Sequence, residues 1–177
     1  MARDFNPGLE IPPRHLRPVS AWSDSDFLAA VGNGTFSAEP WHAADLTPNG
    51  LDLRISHVLV PALSPEPITS GVAKVPPMTR FVVGTQAYLK MPREAIGSLW
   101  IRSSYSRKGV LAAFGKVDAG FHGNLTVGAF NAGHETLDIP IDDRFCQLVL
   151  HSLRTPPQRD YSQTGKYQGQ RGVTLAK

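Results

Sequence analysis

Val117-Asp118-Ala119-Gly120-Phe121-His122-Gly123-Asn124, followed by Leu125-Thr126-Val127-Gly128-Ala129-Phe130, sets a carboxylate beside an aromatic ring and two glycines and runs directly into a β-type stretch. Glycines at such a strand entry permit close backbone approach to a ligand. Alternation along the run points Asn124, Thr126, Gly128 and Phe130 to one face. Similar runs recur, cut by Pro and Gly: Leu51 to Val60, Val72 to Val75, Arg80 to Val83, Gln86 to Leu89, Leu99 to Arg102 and Phe145 to Leu153. Many short strands with turn signals between them predict a mainly β sandwich or barrel and argue against an α/β sheet. Ahead of them, Trp22-Ser23-Asp24-Ser25-Asp26 opens one short helix with a hydroxyl cap and early acids, and Gly32-Asn33-Gly34 closes it.

The 177 residues suit a single domain whose core needs no disulfide or structural metal. Residues 1–21, with Pro7, Pro12, Pro13 and Pro18, read as an extended lead-in, and residues 154–177 as a mobile arm rich in Gly and Gln. The one cysteine, Cys146, lies in an apolar run and reads as a small buried hydrophobe, which fits a reducing cytoplasm. Trp22 and Trp41 are assigned to packing around the helix. The N-terminal residues lack a leader-like apolar segment, and no apolar stretch approaches the roughly 20 residues that span a bilayer, so the expectation is a soluble, non-secreted protein without a membrane partner. From Arg154 onward five cations face Asp160 alone, a balance of +4 against +3 for the whole chain. The basic character sits in the arm and lacks the aromatic-interleaved face of a nucleic-acid binder, so a small polyanion such as a triphosphate is the better partner.

Arg102-Ser103-Ser104-Tyr105-Ser106-Arg107-Lys108-Gly109 places three serine hydroxyls between two arginines and ends in glycine. Read as a turn, it can offer hydroxyl, amide and guanidinium donors to phosphate oxygens together. Taken alone it could equally be a solvated turn. Asp118 alone could be a turn former, Asp52 could cap a hairpin, His122 reads as a solvated histidine, and Phe114 divides between core packing and pocket lining.

Five blocks in order resemble the motifs of the dUTPase and dCTP deaminase superfamily. They are Asn49-Gly50-Leu51-Asp52-Leu53-Arg54, Arg102 to Gly109, Val117 to Asn131, Asp143-Arg144-Phe145-Cys146-Gln147-Leu148, and Lys166-Tyr167-Gln168-Gly169-Gln170. The resemblance spans about residues 22–173 and implies a dUTPase-like β-barrel or jelly roll with a short N-terminal helix and a C-terminal arm. It implies a homotrimer with active sites between subunits and Mg2+ carried with the triphosphate. Asp118, Ser103 and Arg107 are then the candidates for chemistry. Arg102, Ser104, Phe121, Gly123, Asn124, Thr126, Gly128, Gln147, Tyr161, Lys166 and Gln170 are candidates for binding substrate, with Phe121 under the deoxyribose and Gln147 on phosphate. Asp52 is the candidate metal contact, through water.

Deaminases of this superfamily resemble one another in a glutamate ten residues after the aspartate of the third block, which shuttles protons as water attacks C4 of cytosine. Here that position is Gly128. Ala112-Ala113-Phe114 also departs from their usual Thr-Ala pair, and archaeal-type dUTPases resemble this chain at both places. From the residues, proton transfer at the base lacks a candidate, whereas Asp118 can deprotonate a water for attack at the α-phosphorus. The expectation is hydrolysis of dUTP to dUMP and pyrophosphate, with dCTP deamination (or a bifunctional enzyme forming dUMP from dCTP) as the alternative. A non-catalytic nucleotide-binding regulator is the third reading.

Overall fold

Ser23 starts helix α1 (Asp24–Gly32) with reciprocal capping: its hydroxyl accepts from the Asp26 amide and the Asp26 carboxylate accepts from the Ser23 amide. The helix buries Phe27 and Ala30, and Phe27 meets Trp22 and Phe36 edge-on. The computed structural model describes residues 20–175, so most of the proposed lead-in lies outside the described residues. None of the described helices is long and apolar enough to cross a membrane.

Thirteen strands follow among the described residues: β1 (Ser37–Glu39), β2 (Leu46–Thr47), β3 (Gly50–Leu59), β4 (Val72–Val75), β5 (Thr79–Thr85), β6 (Tyr88–Lys90), β7 (Ala95–Ile101), β8 (Val110–Ala113), β9 (Lys116–Val117), β10 (His122–Gly123), β11 (Thr126–Asn131), β12 (Leu137–Pro140) and β13 (Arg144–Ser152). The large sheet runs β8-β11-β5-β3-β13-β7-β9, with β2 added against β3; β1-β6-β10 and β12-β4 form two smaller sheets. Strand β3 does the turning. Leu51 to Arg54 pair with β13 and Ile55 to Leu59 pair with β5, with register breaks in both ladders. Such breaks bend a strand and raise its twist, so one chain segment carries the sheet around the core as a curled half-barrel.

Inside it pack Leu53, Ile55, Val58, Phe81, Leu148, Leu150 and Phe145, the last edge-on to both Phe81 and Tyr105. Each such side chain contributes about 1.5–3 kcal/mol on leaving water. Cys146 is fully buried there, as expected, and burial pushes its thiol up to about 12. Trp22, Trp41 and Phe114 are partly buried and pack against this core.

The structure departs from the sequence expectation in two places that matter for the site. Ser103 to Arg107 form a short helix, α2, where a turn was expected, with Arg102 extended at its start and Gly109 at φ 83° just beyond it. The expected mobile arm is docked: α3 (Tyr161–Thr164) opens it, and residues 168–174 hydrogen-bond to residues 120–126.

Candidate active site

Asp118 stands just after β9 in a turn closed by the Phe121 amide, which donates to the Asp118 carbonyl at 3.1 Å. Its carboxylate pairs with Lys116 at 2.7 Å and remains 37% exposed, open to an incoming group. Around it Leu99, Ala113, Phe121, Leu125, Thr126, Tyr161, Tyr167 and Gln170 enclose a pocket of about 220 Å³. Tyr161 meets Phe121 edge-on at 5.5 Å, so the aromatic floor is made jointly by the strand-entry loop and the arm.

The arm also completes the strand side. Gln170 donates from its side chain to the Asn124 carbonyl, and the Asn124 amide donates to the Gln170 carbonyl at 3.0 Å. Gly123, at φ 150°, allows this approach, because a Cβ there would come within 2.9 Å of the Phe121 ring and 3.2 Å of Gln170. Thr126 donates to the Gly172 carbonyl and accepts from the Thr174 amide. Gly128 pairs with Val82 of β5 and Ala113 of β8, on the less buried face shared with Thr126 and Phe130, and a Cβ added to it would meet nothing within 4 Å. Among the described residues lining the pocket, Asp118 is the one carboxylate.

A second group forms at the far end of β7. Asp52 is buried on β3, opposite Gln147 of β13 in the ladder. Its carboxylate pairs with Arg102 at 3.2 Å and Arg144 at 3.7 Å and accepts from the Gln147 amide at 3.3 Å. Gln147 also donates to Thr47. The expected phosphate contacts Arg102 and Gln147 are thus brought together. Arg144, which went unremarked within the fourth block, is the added member. Asp52 anchors two guanidiniums, a setting suited to holding cationic side chains toward a polyanion and not to direct ligation of a metal. Among the described residues there is no group of three or more His, Cys, Asp or Glu able to hold a metal ion. The arginine beside it in sequence, Arg54, pairs instead with buried Asp45 at 2.6 Å, and that hydrogen bond raises its affinity for its proton.

Ser103 and Ser104 lie exposed at the start of α2. Arg107, at its other end, lines a separate cleft of about 620 Å³ with Lys108, His134 and Glu135. Two described cations of the arm meet aromatic rings. Arg171 stacks on the Tyr88 ring at 4.0 Å, and Lys166 lies 5.7 Å from the Tyr167 ring centroid. Strand geometry fixes the separation. Val117 pairs with Gly97, which sets Asp118 beside Ile96, six residues along β7 from Arg102 and so about 20 Å away along the strand. Within one chain the group around Asp118 and the group around Asp52 are therefore separate, each the half of the candidate site that its own blocks supply.

Residues 70–175 match the family model described as dUTPase. The protein of Thermococcus kodakarensis named dCTP deaminase is 34% identical over 140 residues, covering 78% of this chain and 89% of that protein. The dCTP deaminase of Aeropyrum pernix is 34% identical over 171 residues, 88% and 94% of the two chains. Among solved structures, the 2'-deoxycytidine 5'-triphosphate deaminase of Agrobacterium tumefaciens matches with a TM-score of 0.66 at 17% identity, over 77% of this chain and 49% of that one. This chain thus spans about half the length of that structure. The native dUTPase of EIAV matches with a TM-score of 0.50 at 17% identity, over 70% and 92%. Both structural likenesses concern the fold.

Proposed function

This chain belongs to the dUTPase family, and from that premise we propose that it binds a pyrimidine deoxynucleoside triphosphate and deaminates dCTP, with hydrolysis of dUTP as the second reading. The observation carrying deamination is similarity along nearly the whole chain to proteins named dCTP deaminase, 34% identical over 78–88% of it. These names back the alternative weighed in the sequence better than the hydrolysis of dUTP placed first there. A specific observation favours the second reading: the open space at Gly128 and the absence of any carboxylate but Asp118 among the described pocket residues.

In either reaction the pocket of Phe121, Thr126 and Tyr161 receives the nucleoside, and Arg102, Arg144 and Gln147, steadied by Asp52, receive the triphosphate. Deamination requires a group that moves a proton from the attacking water to the departing amine, and Asp118 is then the side chain to test. Hydrolysis requires a base for water at the α-phosphorus, again Asp118, with Mg2+ entering on the triphosphate to offset its charge. Because the half-sites lie about 20 Å apart along β7, we place the complete site between subunits of a homotrimer.

One experiment decides the reaction. The purified protein is incubated with dCTP and with dUTP, and ammonia and pyrophosphate are measured separately. Ammonia from dCTP supports the first reading. Pyrophosphate from dUTP without ammonia from dCTP overturns it in favour of the second.

A further inference from the structure

Asp160 and Arg93 belong to neither half-site, yet they fasten the arm to the loop that carries Asp118. The Asp160 carboxylate caps α3, accepting from the Ser162 amide at 3.0 Å and from the Ser162 hydroxyl. The same buried carboxylate meets Arg93 Nε at 2.6 Å, and Arg93 Nη2 donates to the Pro157 carbonyl at 3.5 Å. The Ser162 hydroxyl foremost, with the Ser162 amide and the Arg93 charge acting against the cost of burial, holds the Asp160 carboxyl below the usual carboxylate range. It is an anion at neutral pH.

The loop of residues 118–121 passes directly under this pair. Gly120, at φ 77°, lies so close that a Cβ on it would stand 2.9 Å from the Asp160 carboxyl carbon. Its amide donates to the Pro92 carbonyl at 3.3 Å, and the Tyr161 amide donates to the Ala119 carbonyl at 2.9 Å. Tyr161 then meets Phe121 edge-on, and its hydroxyl accepts from the Tyr167 amide at 3.2 Å. The loop is gripped between residues 92–93 on one side and 160–161 on the other.

We propose that Arg93 and Asp160 are positioning residues whose ion pair locks the start of the arm onto the 118–121 loop, fixing the Phe121–Tyr161 wall of the nucleotide pocket. The inference rests on reading that pocket as the nucleotide site. Arg93 is half exposed, so Arg93→Ala spares the core, and loss of a partly solvated pair shifts a local opening equilibrium by about fivefold. Deuterium exchange at the Tyr161 and Tyr167 amides should quicken by that factor. The dissociation constants for dCTP and dUTP, read by calorimetry before turnover, should weaken comparably, while the melting temperature stays near that of the parent protein. Arg93→Lys should restore part of the protection. Asp160→Asn, which keeps an N-cap acceptor but loses the charge, should match Arg93→Ala, and the double variant should be no worse than either single one. Unchanged exchange in Arg93→Ala overturns the clasp. Faster exchange with unchanged nucleotide affinity overturns its positioning role. A parent protein that binds neither nucleotide refutes the substrate reading instead, and the exchange result then decides the clasp by itself.

Discussion

Replacing Gly128 with glutamate tests what the pocket lacks. Gly128 sits in the middle of β11, paired on both sides, with no atom within 4 Å of an added Cβ and no left-handed backbone angle to strain a side chain. Removing a strand-interior glycine gains about 0.5–1 kcal/mol, and a carboxylate on this half-exposed face costs about as much. Gly128→Glu should therefore melt close to the parent. A positioned general acid or base contributes about 10²–10⁴-fold to a proton-transfer step, so ammonia release from dCTP should rise by at least about a hundredfold if residue 128 faces the base. The assay is coupled ammonia detection at saturating dCTP, with circular dichroism and nucleotide binding as controls. Where the parent releases ammonia slowly, a folded variant that binds dCTP but releases it no faster refutes the placement of residue 128 at the base. A parent already fast and unimproved shows that proton transfer uses another group, with Asp118 the next to remove.

Asp118→Asn should fold and bind nucleotide but lower turnover by about a hundredfold or more, since an amide cannot take a proton from water; near-parent turnover would remove Asp118 from the chemistry. If pyrophosphate is released from dUTP, EDTA should abolish it and Mg2+ restore it, because the charge on the transferring group needs an offset. Phe145→Ala, which opens the core beneath Phe81 and Tyr105, should cost about 3–5 kcal/mol in denaturant unfolding, and a loss under 1 kcal/mol would contradict the packing described. The neutral Cys146 thiol is favoured in the folded state, so its contribution to stability is whole below the ordinary thiol value of about 8.5 and lost as pH rises toward about 12. Cys146→Ala should flatten the alkaline fall in stability over that window.

The β-rich class, the helix and the seven strand runs were legible because each carries its own local signal: capping at Ser23, alternation in β11, Pro and Gly between runs. Most of the missed strands have residues with no such signal. Ala112-Ala113 in β8 and the two-residue β9 and β10 are extended only because β11, β7 and β6 offer them ladders. Leu137-Asp138-Ile139-Pro140 does alternate, but its terminal proline argues against a strand, and it is tolerated where β12 pairs with β4 alone. The docking of the arm was hidden for the opposite reason. Its glycines and glutamines read as mobility, yet Gln168 and Gln170 spend their amides on backbone groups of residues 120–124, contacts that no periodicity encodes. Asp52, Arg102 and Gln147 could be named from their blocks, whereas only the β3–β13 register shows that Asp52 faces Gln147 and restrains Arg102 and Arg144.

That restraint bears on assembly. A base for attack at the α-phosphorus must lie within hydrogen-bond reach of the attacking water, but Asp118 and Arg102 of one chain are about 20 Å apart along β7. On the hydrolysis reading, a single chain in this conformation does not bring both to one phosphate, and the proposed shared site has a second copy present its Arg102 face to the first copy's Asp118. Closed homo-oligomers commonly build shared sites in this way. Asp118→Asn and Arg102→Ala disable opposite halves, so each variant alone should be inactive. When the two are unfolded together in equal amounts and refolded, random assembly pairs an intact Asp118 with an intact Arg102 at about one site in four. The mixture should recover about a quarter of the parent activity, with sedimentation showing an oligomer. Recovery indistinguishable from the separate variants, in a mixture shown to exchange subunits, would mean that each site is complete within one chain and that the arm or α2 moves to close the gap.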